Sequence, residues 1–403
     1  MNKIPNGWKE KKLKYIAEIT SSKRIYEYEY VDSGIPFYRG KEITALKNNQ
    51  KIENFIYISE KRYNELKEKY GVPSKYDILI TAVGTVGNAY TIEDDKPFYF
   101  KDGNLLWLKN IKEYPKFVEY LFECNKNVLL NNFFGSVQHA LTISRLENLT
   151  FYFPPLDEQK RIASALSKID AYLENTIKLI EEKERFKRGI AKKLLTCKEG
   201  ENIPEARFKG FEDEWMEVAI SKIGTIITGN TPSTKNESFW NGNNIWVTPT
   251  DIKQKYISNS ERKLTDDGLK KSRKLPANTL LITCIASIGK NAILKCEGAC
   301  NQQINAIIPN KNYNVDFLYY LFENEKSYLK FKAPQSVIKI MSKSEFSKLV
   351  FKFPLLEEQE KIGGYLSLLD AEIDNLKKQK ELIKEMKRGA MQKLLSGEVR
   401  LLE

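Results

Sequence analysis

A single histidine, His139, serves a chain of 403 residues. Histidine is the usual general base and zinc ligand, so its scarcity leaves triad and metal chemistry short of their common residue. Ser144 lies near it in sequence, but no third partner is apparent and a triad is not supported. Cysteine is sparse as well: Cys124, Cys197, Cys284, Cys296 and Cys300 make an odd, scattered set. Such a set fits a reducing compartment better than a disulfide framework. Cys284, Cys296 and Cys300 lack a fourth ligand nearby, so plain buried thiols and no metal site are expected. No apolar run approaches the roughly 18 residues of a membrane span. The start, MNKIPNGWKEKK, has no apolar signal core, so a cytoplasmic location and no membrane contact are expected. Phosphate-loop signatures are missing, since Gly289-Lys290 is followed by Asn291 and has no upstream Gly at the required spacing. GTVG (84–87) and ASIG (286–289) lack dinucleotide-loop spacing and read as strand-to-strand turns. There is no Asn-Pro-Pro-aromatic tetrapeptide of amino-methyltransferases and no convincing carboxylate cluster for a nuclease metal. These absences describe a binder without a cofactor of its own.

What is present is a chain written twice. Hydrophobic residues are 41% of it, enough for real cores. Residues 136–196 and 336–396 align without a gap, with 24 identities in 61 positions. Upstream the match weakens but keeps its order. IPFYRGKEI (35–43) answers NIWVTPTDI (244–252), and YDILITAVGTVGNAYTI (76–92) answers NTLLITCIASIGKNAIL (278–294). A period this long is a domain duplication, not a solenoid. Short β-branched and aromatic runs mixed with helical patches make each globular half α/β. The polar, Gly/Pro-punctuated stretch 198–215 suits a linker.

The well-matched segments read as long helices. In the second copy Ile362, Leu366, Leu369, Ile373, Leu376, Ile383 and Met386 form a heptad seam, and Ile162, Leu166, Ile169, Leu173 and Ile180 hold the same register in the first. Pro154, Pro155 and Pro354 stand just outside the helix starts. Asp157, Glu158, Glu357, Glu358 and Glu360 place negative charge at the positive end of the dipole, and Lys187, Arg188, Lys387 and Arg388 place positive charge towards the other. About 40 residues make a helix roughly 60 Å long, and its narrow seam needs a partner. The other copy, antiparallel to it, is the natural one. Gly189 and Gly389 recur at one helical position, where glycine costs about 1 kcal/mol relative to alanine. That recurrence suggests close backbone approach, to the other helix or to a partner protein, with a helix break as the competing reading.

The net charge of +12 concentrates in the globular halves, at +4 for residues 1–156 and +6 for 197–356. Two basic modules on a rigid spacer suit a long polyanion bound at two places. Aromatics and polar groups lie among the cations, Phe37 and Tyr38 beside Arg39 and Lys41, and Trp246 beside Thr248, Thr250, Asp251 and Lys253. Such groups can contact phosphates and base edges, although Phe37 and Trp246 read as core.

Several runs carry a specific resemblance. TGNTPSTKNESFWNGNNIWVTPTDI (228–252), FPPLDEQKRIASALSKID (153–170), FPLLEEQEKIGGYLSLLD (353–370), IPEARFKGFEDEW (203–215) and KRGAMQKLLSGEVRL (387–401) resemble the specificity subunit of type I restriction-modification systems. The likeness covers nearly the whole chain. The first module departs from it, because SSKRIYEYEYVDSGIPFYRGKEI (21–43) lacks the G-x-T-P-S and W-N-G signatures of the second.

The resemblance implies a mixed α+β fold. Two globular target-recognition domains would be separated by a long antiparallel two-helix coiled coil, as an internal pseudo-twofold repeat. The expected boundaries are 1–153 and 214–353 for the two domains, 154–198 and 354–403 for the helices with the tail, and 199–213 for a linker. It implies recognition of a bipartite site in double-stranded DNA, one half-site per domain, and no catalysis by this chain. Two modification subunits would use S-adenosylmethionine to methylate an adenine flipped from the stack. Restriction subunits would translocate and cut DNA with ATP and Mg. The DNA-facing candidates are Arg39, Lys41, Lys101, Asn104, Gln138 and Arg145 in the first module, and Thr248, Thr250, Lys253, Lys290, Gln302 and Gln303 in the second. Leu166, Leu173, Leu366 and Ile373, with the two helical glycines, are the packing and partner candidates. The rivals are a scaffold that binds only protein, and a recognition unit of a fused methylase or nuclease.

Overall fold

The computed structural model describes residues 5–130, 140–333 and 340–402. It divides into two compact units, Met1–Thr176 with Gln379–Glu403, and Ile177–Lys378. Each unit therefore takes part of both long helices, Leu156–Leu195 and Leu356–Leu395, which run unbroken for 40 residues each.

In the first unit, Leu105–Lys109 is flanked by Glu18–Thr20 and Ile78–Thr81, and Ile78–Thr81 pairs onward with Ala89–Thr91, all antiparallel. A second sheet orders Tyr30–Val31, Ile56–Ile58, Ile35–Tyr38 and Tyr99–Phe100, the last pair parallel. The run ILIT is buried throughout, although strands with one wet face alternate. Both faces are covered. Ile78 and Ile80 pack with Phe117, Leu121 and the first long helix, whereas Leu79 packs with Ile43, Phe100 and Trp107.

The second unit repeats the plan. Its five-stranded sheet runs Gly224–Thr228, Ile304–Pro309, Thr279–Thr283, Asn291–Leu294 and Tyr256–Ile257. Leu280 and Ile282 face the helical core, and Leu281 faces a second core with Val247 and Ile257. As their spacing leads one to expect, GTVG and ASIG are turns between antiparallel neighbours.

The helices pair antiparallel. Asp170 meets Lys387 at 2.8 Å in the first unit. In the second, Lys183 meets Glu372 at 2.7 Å and Glu184 meets Lys377 at 2.7 Å. Ile162, Leu166, Ile180, Ile362, Leu366, Leu369, Ile373 and Ile383 are buried, and Leu173 is half-buried. Met386 departs from the expected seam at 50% exposure. After Ile383 the inward step is four residues, to Lys387, whose ammonium is matched by Asp170 and Glu123. A cation at a seam position hid that step from a pattern of apolar residues.

The Glu-Gln helix starts are not solvated dipole partners. Gln159 donates to the Pro154 carbonyl at 2.9 Å and accepts from the Tyr114 amide at 2.9 Å. Gln359 does the same with Pro354 and Asn314, at 2.8 and 3.0 Å. Each therefore joins a strand end, a long helix and the start of a neighbouring helix, Pro115–Cys124 or Val315–Asn324. Glu158 and Glu358 are buried, each held through both oxygens by an arginine, Arg400 and Arg207 respectively. The segment expected as a linker is packed rather than loose, with Arg207 in this pair and Phe208 against Tyr365.

Two further expectations change. Cys284 and Cys300 are buried thiols, but Cys296 is exposed, in the turn between Asn291–Leu294 and Gly298–Cys300. Neither helical glycine marks a break. Nothing lies within 4 Å of a Cβ built on Gly189 or Gly389, so among the described residues neither makes a close approach to the other helix.

Candidate nucleic-acid interface

The first unit gathers its polar candidates around the 82–88 turn. Gly84 and Gly87 adopt φ of +78° and +82°, the left-handed region that permits so tight a reversal. The Thr81 hydroxyl donates to the Thr85 carbonyl and accepts from the Asn88 amide at 3.0 Å. Beside it, the helix Gly40–Lys47 begins at Arg39. The Glu42 carboxylate accepts from the Arg39 amide at 2.9 Å and from its guanidinium at 2.8 Å. Burial alone raises a carboxyl pKa, but the hydrogen bonds from Arg39 outweigh it and hold Glu42 below its ordinary value. Thr44 lies 3.3 Å from Thr85, and Asn88 donates to Thr44 at 3.2 Å and accepts from Lys126 at 2.6 Å. Lys41 is exposed, with its ammonium 3.7 Å from Glu42.

The second unit rebuilds the same frame with other side chains. The amides of Gly87 and Gly289 bond the carbonyls of Thr81 and Thr283 at 2.8 and 3.0 Å. Asn88 and Lys290 donate their amides to the hydroxyls of those threonines, each at 3.0 Å. Ala82 bonds the Asn104 carbonyl, and Cys284 the Gln303 carbonyl, both at 2.8 Å. Lys101 bonds the Tyr38 carbonyl at 2.9 Å, and Asn301 the Val247 carbonyl at 3.0 Å. The amides of Arg39 and Thr248 find the carboxylates of Glu42 and Asp251, at 2.9 and 2.8 Å. At matching points of one scaffold, arginine is thus exchanged for threonine, asparagine for lysine, and asparagine for glutamine.

The structure brings Thr248, Thr250 and Lys290 together. The two threonine hydroxyls are 2.8 Å apart, and Lys290 donates to the Pro249 carbonyl between them at 3.2 Å. Lys253 is exposed next to them. Gln302 accepts from Thr231 at 2.6 Å, and Asn301 donates to Gln303 at 2.9 Å. Trp240 and Trp246 anchor the loop that carries Thr231, donating to the carbonyls of Ser233 and Asn230 at 3.1 and 3.0 Å. Phe37 and Trp246 are both core, as expected.

Lys101 and Asn104 are half-buried near the first turn. Arg145 is half-buried in the short helix Ile143–Asn148, just after Leu141, whose amide bonds the Ala82 carbonyl at 2.9 Å. Gln138 lies outside the described residues. Sequence reasoning missed Thr44, Thr85, Asn88 and Thr231. Asn88 was within reach, because the repeat sets it opposite Lys290.

Among the described residues, no group of three or more His, Cys, Asp or Glu side chains could hold a metal ion. No described helix is long and apolar enough to cross a membrane. The arrangement offers hydroxyls, amides and cations on a rigid frame, which is hydrogen-bonding and charge-pairing chemistry.

Such a frame, built twice on one helix pair, defines a duplicated recognition protein. The family model of the type I restriction modification DNA specificity domain matches twice, over residues 5–182 and 212–385. The chain belongs to that family. It is 36% identical over 180 residues to the MjaIX type I restriction enzyme specificity subunit of Methanocaldococcus jannaschii, covering 43% of this chain and 42% of that protein. It is 25% identical over 426 residues to a protein of the same organism assigned as the MjaX specificity subunit, covering 100% of this chain and 96% of the relative. The crystal structure of the type I restriction-modification S subunit from M. genitalium shares the fold, with a TM-score of 0.59 at 17% identity over 98% of this chain and 97% of that one.

Proposed function

We propose that this chain reads a bipartite double-stranded DNA target as the specificity subunit of a type I restriction-modification complex. Each unit would contribute one half-site, and the chain itself would carry out no chemistry. One observation carries the reading: the two units hold the same hydrogen-bonded frame and differ in the side chains on it. Conserved geometry with exchanged donors and acceptors is what reading two different base sequences requires.

The candidates divide by chemistry. Lys41, Lys253 and Lys290 suit phosphates, which set affinity and its salt dependence. Arg39, Thr248, Thr250, Asn104, Gln302 and Gln303 suit base edges, with Lys101, Gln138 and Arg145 flanking them. The recognition domains are residues 1–153 and 214–353, on spacer helices within 154–198 and 354–403, joined through 199–213. The helix pair carries exposed apolar side chains, Phe186 at 52%, Leu368 at 70%, Leu382 at 65% and Met386 at 50%. Large exposed apolar groups suit a protein partner. The modification subunits would dock there, bringing S-adenosylmethionine and adenine methylation, and the restriction subunits would bring ATP, Mg and cleavage. The setting is the cytoplasm, where such a complex meets DNA.

Exchange of residues 1–153 for another module tests the reading. Methylation mapping should then show one half of the target changed and the other retained. A target unchanged, or changed in both halves, refutes one half-site per unit.

A further inference from the structure

Four identities of the repeat meet at one place in each unit. In the first, Tyr120 donates to Asp170 at 2.6 Å, lies 3.1 Å from Ser167, and sits under the Lys387 ammonium at 5.6 Å from the ring centre. In the second, Tyr320 donates to Asp370 and sits under Lys187 at 5.4 Å, while Ser367 is reached by Lys255 at 2.6 Å. Lys387 pairs with Asp170 at 2.8 Å, and Lys187 pairs with Asp370. Each pair crosses from one long helix to the other.

The recognition module joins the cluster in both units, by different residues. Lys47, the last residue of the helix that begins beside Arg39, meets Glu123 at 3.2 Å, and Glu123 meets Lys387 at 2.6 Å. In the second unit Lys255, four residues beyond the end of the Thr248–Asp251 loop, meets Asp316 at 2.7 Å and Tyr320 at 3.1 Å. Tyr256 donates to the same Asp316 at 2.7 Å. The Lys255 side chain is only 9% exposed. Each cluster holds two cations and two anions, so its charge is balanced within the unit.

Apolar contacts have no preferred direction and tolerate rotation, whereas a half-buried network of charged donors and acceptors, its side chains 9–36% exposed, favours one arrangement. We propose that these clusters are the joints that set each recognition module's angle on the helix pair, and through it the length of DNA gap that the chain accepts. The inference rests on the bipartite reading above. Adding one base pair to the gap moves a half-site by about 3.4 Å and turns it by about 35°. Rejecting that target requires modules held more rigidly than this. Lys47, Lys255, Lys187, Lys387, Tyr120 and Tyr320 act as positioning residues, and none is assigned a DNA contact.

The test uses the full chain assembled with its methyltransferase partner, and duplexes with the cognate half-sites and a gap one base pair short, correct or one long. Lys387→Met and Lys187→Met should lower the preference for the correct gap by about tenfold, equivalent to about 1.4 kcal/mol, with both half-site sequences unchanged. Lys387→Arg should keep most of the preference. Tyr120→Phe and Tyr320→Phe remove single hydroxyls and should relax it by about threefold, which provides a test if a lysine variant fails to fold. Gap preference within twofold of the parent in folded variants that still read both half-sites overturns the joint. A parent chain with no bipartite target overturns the underlying reading, and the joint with it.

Discussion

Removing Arg400 should destabilise the first unit far more than an ordinary surface substitution. Glu158 is 1% exposed, and its two oxygens accept from the Arg400 guanidinium at 2.6 and 2.8 Å. The same guanidinium reaches the Asn6 carbonyl at 2.8 Å, so it also ties the tail to the start of the chain. Arg400→Ala leaves a carboxylate in the interior without its cation, a loss of about 3–5 kcal/mol. The low end applies, because the arginine side chain is 22% exposed and water can partly replace it. For a unit of this size, about 3 kcal/mol lowers the melting temperature by about 6–12 °C. Circular dichroism melts at neutral pH measure it, and the drop should persist at high salt, which screens buried pairs weakly. Glu158→Gln placed in the Arg400→Ala chain should recover part of the loss, since the amide removes the buried charge. Arg207→Ala should match or exceed the effect, with Arg207 14% and Glu358 2% exposed. A melt within about 1 °C of the parent, or no recovery by the amide, refutes the reasoning.

Other perturbations separate the roles assigned above. Gly189→Ala and Gly389→Ala meet open space, so each should stabilise the free chain by about 0.5–1 kcal/mol in urea denaturation. If these glycines serve a partner, the same changes should weaken association of the methyltransferase subunit. Burial pushes the Glu123 carboxyl up, but Lys47 and Lys387 hold it below its ordinary value. Its folded-state pKa lies below the unfolded one, so its contribution is complete above about pH 4.5 and is lost as pH falls through the folded value. Melts of Glu123→Gln against pH should be lower than the parent at neutral pH and converge with it in acid. Lys41→Ala and Lys253→Ala should each flatten the salt dependence of DNA binding by about one phosphate contact, with a slope change of about 0.9, and leave the recognised sequence alone.

Much of this protein is legible in its sequence. The duplication, the two long helices and the turns at GTVG and ASIG all rest on local or periodic signals, which a linear string preserves. Resemblance in runs such as the two Glu-Gln helix starts identified the family, and the family model matches residues 5–182 and 212–385, which contain both starts. The candidate DNA-facing positions were legible as loops and only partly as residues. Lys290 was singled out while its counterpart Asn88 was not, because the two share a backbone position and no side-chain chemistry.

Tertiary structure decided what lies far apart in sequence. No periodicity announces that Lys387 occupies a seam position, since its burial depends on Asp170 and Glu123, more than two hundred residues away. Likewise the run of 198–215 looks like a solvated linker until Arg207 is seen holding a buried Glu358. Apolar patterning reports which residues leave water, and it carries through the chain as a repeat. A buried charge is tolerated only where its partner arrives, and that is settled by the fold alone.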